Sequence, residues 1–298
     1  MQKTNRLPMS KTVKLHYFKL IYRSLIFIST ILLYILNRIN VIDKERFPVT
    51  SFGIQPIMMV IIFVCFTVEM VARSFPVKNE SMGCQKVFKK NYVAFDNPAA
   101  PKEKDLAKRT AFVGVIWVIF DILISIPYFL RLIDRGIMLL IALCFSICDL
   151  ICILFYCPFQ SLMLKNKCCV SCRIYNWDFF MMFSPFAFIL FDPAMNWFDR
   201  SFTVILFSLS VFLLVRWEIT HARHPEYFSE RTNRNVMCAS CHERLCASKI
   251  QLRSFLAKNR ELYFLKGNLV VHSKIDSIKE KAAKQQQEKQ PDNISDNK

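Results

Sequence analysis

Glycine is scarce in this chain: 5 residues of 298, well below the usual share for a soluble domain. Acidic residues are also short, 23 against 40 Lys and Arg, leaving a formal net charge of +17. No nucleotide loop, catalytic triad, transporter signature or internal repeat stands out, so nothing here anchors an enzyme assignment. What is present is apolar: 53% hydrophobic and 14% aromatic residues, including 28 Phe, gathered into unbroken runs. Several runs approach the ~20 apolar residues that cross a bilayer. They are continuous and do not alternate, which selects helices over the strands of a barrel. The composition predicts an all-α, polytopic membrane helix bundle in contact with the lipid bilayer.

Six spans are expected, at about 20–37, 53–73, 111–131, 137–160, 174–191 and 201–217. The first has the basic start of a signal peptide. No small-residue cleavage site follows it, since the chain continues Asn37-Arg38-Ile39-Asn40, so an uncleaved anchor is expected. The polar stretch 74–110 contains Pro76, Gly83, Pro98 and Pro101 and reads as mostly irregular. The turn Ile133-Asp134-Arg135-Gly136 makes spans three and four a hairpin. The fifth span is the weakest, because Ser184-Pro185 interrupts its apolar run. A proline at that depth kinks a membrane helix without having to end it.

Charge orients the bundle. With the N-terminus cytoplasmic, 34 Lys and Arg fall inside and six outside. That bias follows the positive-inside rule and accounts for the net charge without nucleic acid, which is not an expected partner. Both termini are then cytoplasmic, and the bacterial cytoplasmic membrane is the expected location. Residues 1–217 form the transmembrane bundle. Residues 218–272 form a cytoplasmic Cys- and His-containing segment, with Leu252, Phe255, Leu256, Leu262 and Leu265 at roughly helical spacing. Residues 273–298 are rich in Lys, Gln and Asn and read as a charged, disordered tail.

Two cysteine pairs flank the last hairpin: Cys169-Val-Ser-Cys172, preceded by Cys168, and Cys238-Ala-Ser-Cys241, followed by Cys246. C-x2-C sets two sulfurs on one turn, and a second pair supplies the other corners of a tetrahedral zinc site. The long spacing between the pairs is explained by one trip across the membrane and back. Cys169, Cys172, Cys238 and Cys241 are the first candidates as ligands, with Cys168, Cys246 and His242 in reserve. Structural zinc is the first reading and an iron–sulfur cluster the second. Redox-active thiols are the third, but a thiol oxidase acting on exported proteins needs its pairs outside, and charge counting places these inside.

Carboxylates at membrane depth are functional candidates by default. Asp121 and Asp149 lie near the middle of the two helices of one hairpin, where they could face each other and share a proton. Together they support a small-solute or ion transporter as the alternative function. Glu69 lies four residues before Arg73, the spacing of a local ion pair. Cys144, Cys148 and Cys152 line one stripe of the fourth span, as small packing residues do. Glu218, His221 and His224 do not reproduce the metalloprotease motif, which needs two His at i,i+4 with Glu between them.

The runs Lys167-Cys168-Cys169-Val170-Ser171-Cys172-Arg173-Ile174-Tyr175-Asn176-Trp177, His224-Pro225-Glu226 and Cys238-x2-Cys241-x4-Cys246 are distinctive. With Ser81-Met82-Gly83-Cys84-Gln85, they resemble a group of uncharacterised bacterial polytopic membrane proteins. The resemblance brings no activity and adds Cys84 to the thiols of interest. The expectation is a six-span scaffold or interaction component, with a membrane-protein partner and a cysteine-held zinc on its cytoplasmic face, rather than an enzyme.

Overall fold

The computed structural model describes residues 10–39, 49–78, 80–95, 103–164, 166, 168–237, 240, 241, 243, 245 and 246. Cys238, His242, the helical spacing over Leu252–Leu265 and the tail 273–298 lie outside the described residues. Among the described residues the regular structure is helical, apart from a single antiparallel bridge between Ala94 and Asn233. In chain order the helices are α1 (Lys11–Arg38), α2 (Pro56–Arg73), α3 (Met82–Gln85), α4 (Glu103–Phe129), α5 (Arg135–Leu154), α6 (Asp178–Phe183), α7 (Phe186–Ile189) and α8 (Trp197–Arg223).

Five of these, α1, α2, α4, α5 and α8, are long and apolar enough to cross a membrane. Their side-chain pattern is the inverse of a soluble helix. In α1 the exposed stripe is Phe18, Ile21, Leu25, Ile28, Leu32 and Ile35, repeating at three- and four-residue steps. The buried face of the same helix carries His16, Lys19, Arg23 and Thr30. Charge turned inward and hydrocarbon turned outward is the arrangement that lipid demands.

Helix ends follow local chemistry. Ser10 caps α1 by accepting from the Val13 N–H at 3.2 Å, and Asp134 caps α5 by accepting from Ile137 N–H at 3.0 Å. Pro56 opens α2, where its missing N–H is not needed. The reversal between α4 and α5 passes through Arg131 in the left-handed region, φ 57°. Gly136 then lies so close to the segment between α1 and α2 that a Cβ there would meet the Phe52 carbonyl at 2.4 Å. Helix α5 stops at Leu154, earlier than the expected 160, and a π-helical turn over Phe159–Met163 follows Pro158. Helix α8 is longer at both ends than its apolar run, which brings Trp217 and Glu218 onto the loop at 173–177.

The expected fifth span is two short helices, α6 and α7, rather than one long one. Pro185 has no N–H to donate, and the Ser184 hydroxyl lies within hydrogen-bond distance of the Met181 carbonyl, 3.1 Å away. The segment is buried on several faces: Phe179, Met182, Phe183, Phe186 and Ile189 are all core residues. It packs against α5 and α8. At its start Asp178 pairs with Arg73, the last residue of α2. Just beyond its end Asp192 pairs with Arg135, the first residue of α5, at 3.3 Å. The segment therefore runs between the two ends of the bundle, at its centre, without an exposed apolar stripe of its own.

Candidate functional site

One end of the bundle gathers the N-terminus of α1, the loop around α3, the loop 168–177 and the described part of the tail. Trp217 Nε1 donates to the Arg173 carbonyl at 3.2 Å, and Glu218 accepts from Trp177 Nε1 at 2.7 Å and pairs with Arg173 at 2.5 Å. Residues 91–94 and 233–235 are joined by several hydrogen bonds, including Arg234 N–H to the Val93 carbonyl at 2.9 Å. Glu243 then ties the tail down. Its carboxylate accepts from the Ser81 hydroxyl at 2.7 Å and from the Met82 N–H, and its carbonyl accepts from the Ser10 hydroxyl.

The cysteines of this end divide into two sets. Cys172 N–H bonds the Cys169 carbonyl at 3.0 Å, so the C-x2-C segment is a tight turn. Cys169 and Cys172 join the apolar cluster below it with Cys84, Tyr175 and Leu245. The Cys169 thiol donates to Gln160 Oε1 at 3.1 Å. Burial pushes the Cys172 thiol up to about 12 and raises that of Cys84 too. Cys168 joins a separate cluster with Val170, Val236, Met82 and Cys246. There the Cys246 thiol hydrogen-bonds the Cys168 sulfur, which also takes the backbone N–H groups of Ser171 and Val170. The Cys246 bond, helped by those N–H groups, brings Cys168 down to about 5 against the effect of burial. The same bond pushes Cys246 up.

Of the expected zinc ligands, then, Cys169 and Cys172 are interior thiols, Cys241 is half-buried in the tail, and Cys238 lies outside the described residues. Among the described residues, the thiols of Cys168 and Cys246 meet across the long sequence gap, with the Cys169 backbone beside Cys246. No three metal-capable side chains converge among the described residues.

Beneath this cap is a charge network that sequence reasoning missed. Arg23, on the inward face of α1, bonds Glu69 at 2.6 Å and donates to the Ser146 carbonyl at 3.0 Å. Lys19 bonds Glu80 at 2.8 Å and lies 3.7 Å from Glu69. Arg73 pairs with Asp178 and covers the Phe179 ring, 4.6 Å from its centroid. The local Glu69–Arg73 pair suggested by spacing is thus replaced by two pairs between helices. The available signal is Arg23 itself, an ionisable residue inside the apolar run 20–37. Lys86 lies nearer the loops. Its ammonium donates to the Val170 carbonyl at 2.7 Å beneath the Trp217 ring, and burial brings its pKa down to about 8.

The two mid-span carboxylates have separate settings. Asp121 accepts from the Ser184 hydroxyl at 3.0 Å, and Ser184 accepts from Trp117 Nε1 at 3.1 Å, so this carboxyl is tied to the kink between α6 and α7. Asp149 instead lines a cavity with Asp178, and its electrostatic neighbours are Asp178, Arg23 and Arg73. In the cysteine stripe of α5, Cys144 and Cys148 are exposed on the outer surface. Cys152 is half-buried and bonded to Cys157.

No family model, curated protein or solved structure matches this chain.

Proposed function

We propose that this is a six-crossing protein of a bacterial cytoplasmic membrane, with both termini inside, that serves as a scaffold or interaction component rather than an enzyme. Its cytoplasmic tail is fastened to the loop before the last hairpin by cysteine thiolates that hold a structural zinc ion. The supporting observation is the contact between Cys168 and Cys246, 78 residues apart in the chain, with backbone N–H groups turned toward the Cys168 sulfur. N–H groups directed at sulfur stabilise a thiolate, and the thiolate is the form that binds metal. The charge bias of the loops supports a cytoplasmic setting, where a reducing environment disfavours a structural disulfide. In this reading Cys168 and Cys246 are ligands, and the tail pair Cys238 and Cys241 completes the four by its spacing. Cys169 and Cys172 fill the interior. The sixth crossing is the kinked segment α6–α7, which runs between the same two ends as the long helices.

Metal analysis of the purified full chain tests this. About one zinc per chain is expected, as four thiolates fill one tetrahedral site. It should be lost in Cys168→Ser and in Cys246→Ser and kept in the Cys169→Ser/Cys172→Ser double variant. Metal-free parent protein, or zinc kept in both single variants, overturns the proposal. A brown protein whose iron tracks the same cysteines replaces zinc with a cluster.

A further inference from the structure

A cavity of about 220 Å³ lies between α4, α5, α6 and residues 157–160 and 169–175. By volume it holds about seven waters, or one compact molecule of roughly eight to ten heavy atoms. Its wall is mostly apolar and includes the rings of Trp117, Phe145 and Phe159. Two carboxyl groups reach it, Asp149 from α5 and Asp178 from the start of α6. Asp178 is only 6% exposed; one of its oxygens is held by Arg73 and the other, Oδ1, has no hydrogen-bond partner among the described residues. Asp149 makes no hydrogen bond or salt bridge among the described residues.

The surrounding charges explain why this matters. The network contains three strongly basic groups, Lys19, Arg23 and Arg73, the buried imidazole of His16 beside Glu80, and four carboxyl groups, Glu69, Glu80, Asp149 and Asp178. Glu69, Glu80 and Asp178 each have a basic partner at salt-bridge distance, so Asp149 is the one left over. An unpaired carboxylate in a low-dielectric interior is strongly disfavoured, and a positive charge must come from a proton or a bound cation. Hard metal ions need six or more oxygen ligands, which this apolar wall does not offer. Soft metal ions need converging thiolates. Thiols line the cavity, but no three metal-capable groups converge among the described residues. Aromatic rings beside a carboxylate suit an organic ammonium ion, which gains from both ring faces and counter-ion.

We propose that this cavity binds a small hydrophobic ammonium ion, with Asp149 as its counter-ion and the rings of Trp117, Phe145 and Phe159 around its apolar part. Benzylammonium is a suitable test compound and benzyl alcohol its neutral counterpart. Equilibrium dialysis on the full chain in lipid nanodiscs should show saturable benzylammonium binding, at least tenfold tighter than benzyl alcohol. Asp149→Asn should weaken it at least tenfold, while Arg38→Ala, at the far end of the bundle, leaves it unchanged. In the parent protein benzylammonium, unlike benzyl alcohol, should also raise the thermal unfolding midpoint, as a ligand of the folded state does. That second readout needs no substitution to fold. Equal binding of the alcohol, binding indifferent to Asp149→Asn, or no saturable binding with an unchanged unfolding midpoint overturns the proposal. The last outcome assigns the missing charge to a proton.

Discussion

The two ends of the bundle handle charge in opposite ways. At the far end, among the described residues, Arg38 and Asp134 pair at 3.6 Å with side chains 74% and 42% exposed, Arg135 and Asp192 remain partly exposed, and the one deeply buried acid, Asp199, accepts a backbone N–H from Ser51 rather than pairing with a buried cation. At the cysteine end, Arg23 and Arg73 are almost wholly enclosed, each held by a carboxylate from another helix. An exposed pair is screened by water and contributes little. An enclosed pair contributes little net stability when intact, yet losing one partner strands a buried charge. The exposed Arg38–Asp134 pair can therefore be lost without much consequence, while the cysteine end depends on each member of its network.

Substitutions at matched positions sharpen this contrast. The largest effect is expected for Arg23→Leu, which leaves Glu69 with only the longer Lys19 contact and should cost about 3–5 kcal/mol. Unfolding in detergent measures it, and adding Glu69→Leu should recover most of the loss, because the stranded carboxylate is then gone. Full loss persisting in the double variant would mean that Arg23 acts through packing alone. A smaller, pH-dependent effect is expected at Lys86. Its folded pKa of about 8 lies below the unfolded value of 10.5, so its burial penalty is fully present below pH 8 and fades as pH rises toward 10.5. Between pH 7 and 9.5 the parent should gain roughly 1–2 kcal/mol relative to Lys86→Met. A constant difference between the two would place Lys86 in a more solvated site. The smallest effect belongs to the far end: Arg38→Ala should change stability by less than about 1 kcal/mol. A loss equal to that of Arg23→Leu would erase the distinction between the ends.

Much of the architecture could be read from the chain. The apolar runs near residues 20–37, 53–73, 111–131, 137–160 and 201–217 correspond to five long helices, because continuous hydrocarbon leaves few alternatives to a helix in lipid. The turn at 133–136 is legible for a local reason, since Asp134 caps the helix that Gly136 helps begin. The interior was less legible. Residues 174–191 look like a weak span because Ser184-Pro185 interrupts them, but their enclosure by other helices is a tertiary fact. Asp121 and Asp149 look equivalent in the sequence, each an acid amid apolar neighbours. Only the kink hydroxyl of Ser184 separates them, satisfying the first and leaving the second to the cavity. Similarly, C-x2-C spacing selects Cys169 and Cys172, whereas the turn that joins them directs both into the apolar interior and leaves Cys168 to meet the tail.

A proximity measurement in the membrane reports on the docking of the tail onto the Cys168 loop. Membranes bearing the full chain are treated with a chelator and a mild thiol oxidant, and the resulting disulfides are mapped by mass spectrometry of proteolytic fragments. A Cys168–Cys246 link is the expected main product, formed fastest of any pair joining the loop to the tail. A tail whose Cys246 pairs only with other tail cysteines, while Cys168 stays reduced or joins Cys169 or Cys172, would contradict the account.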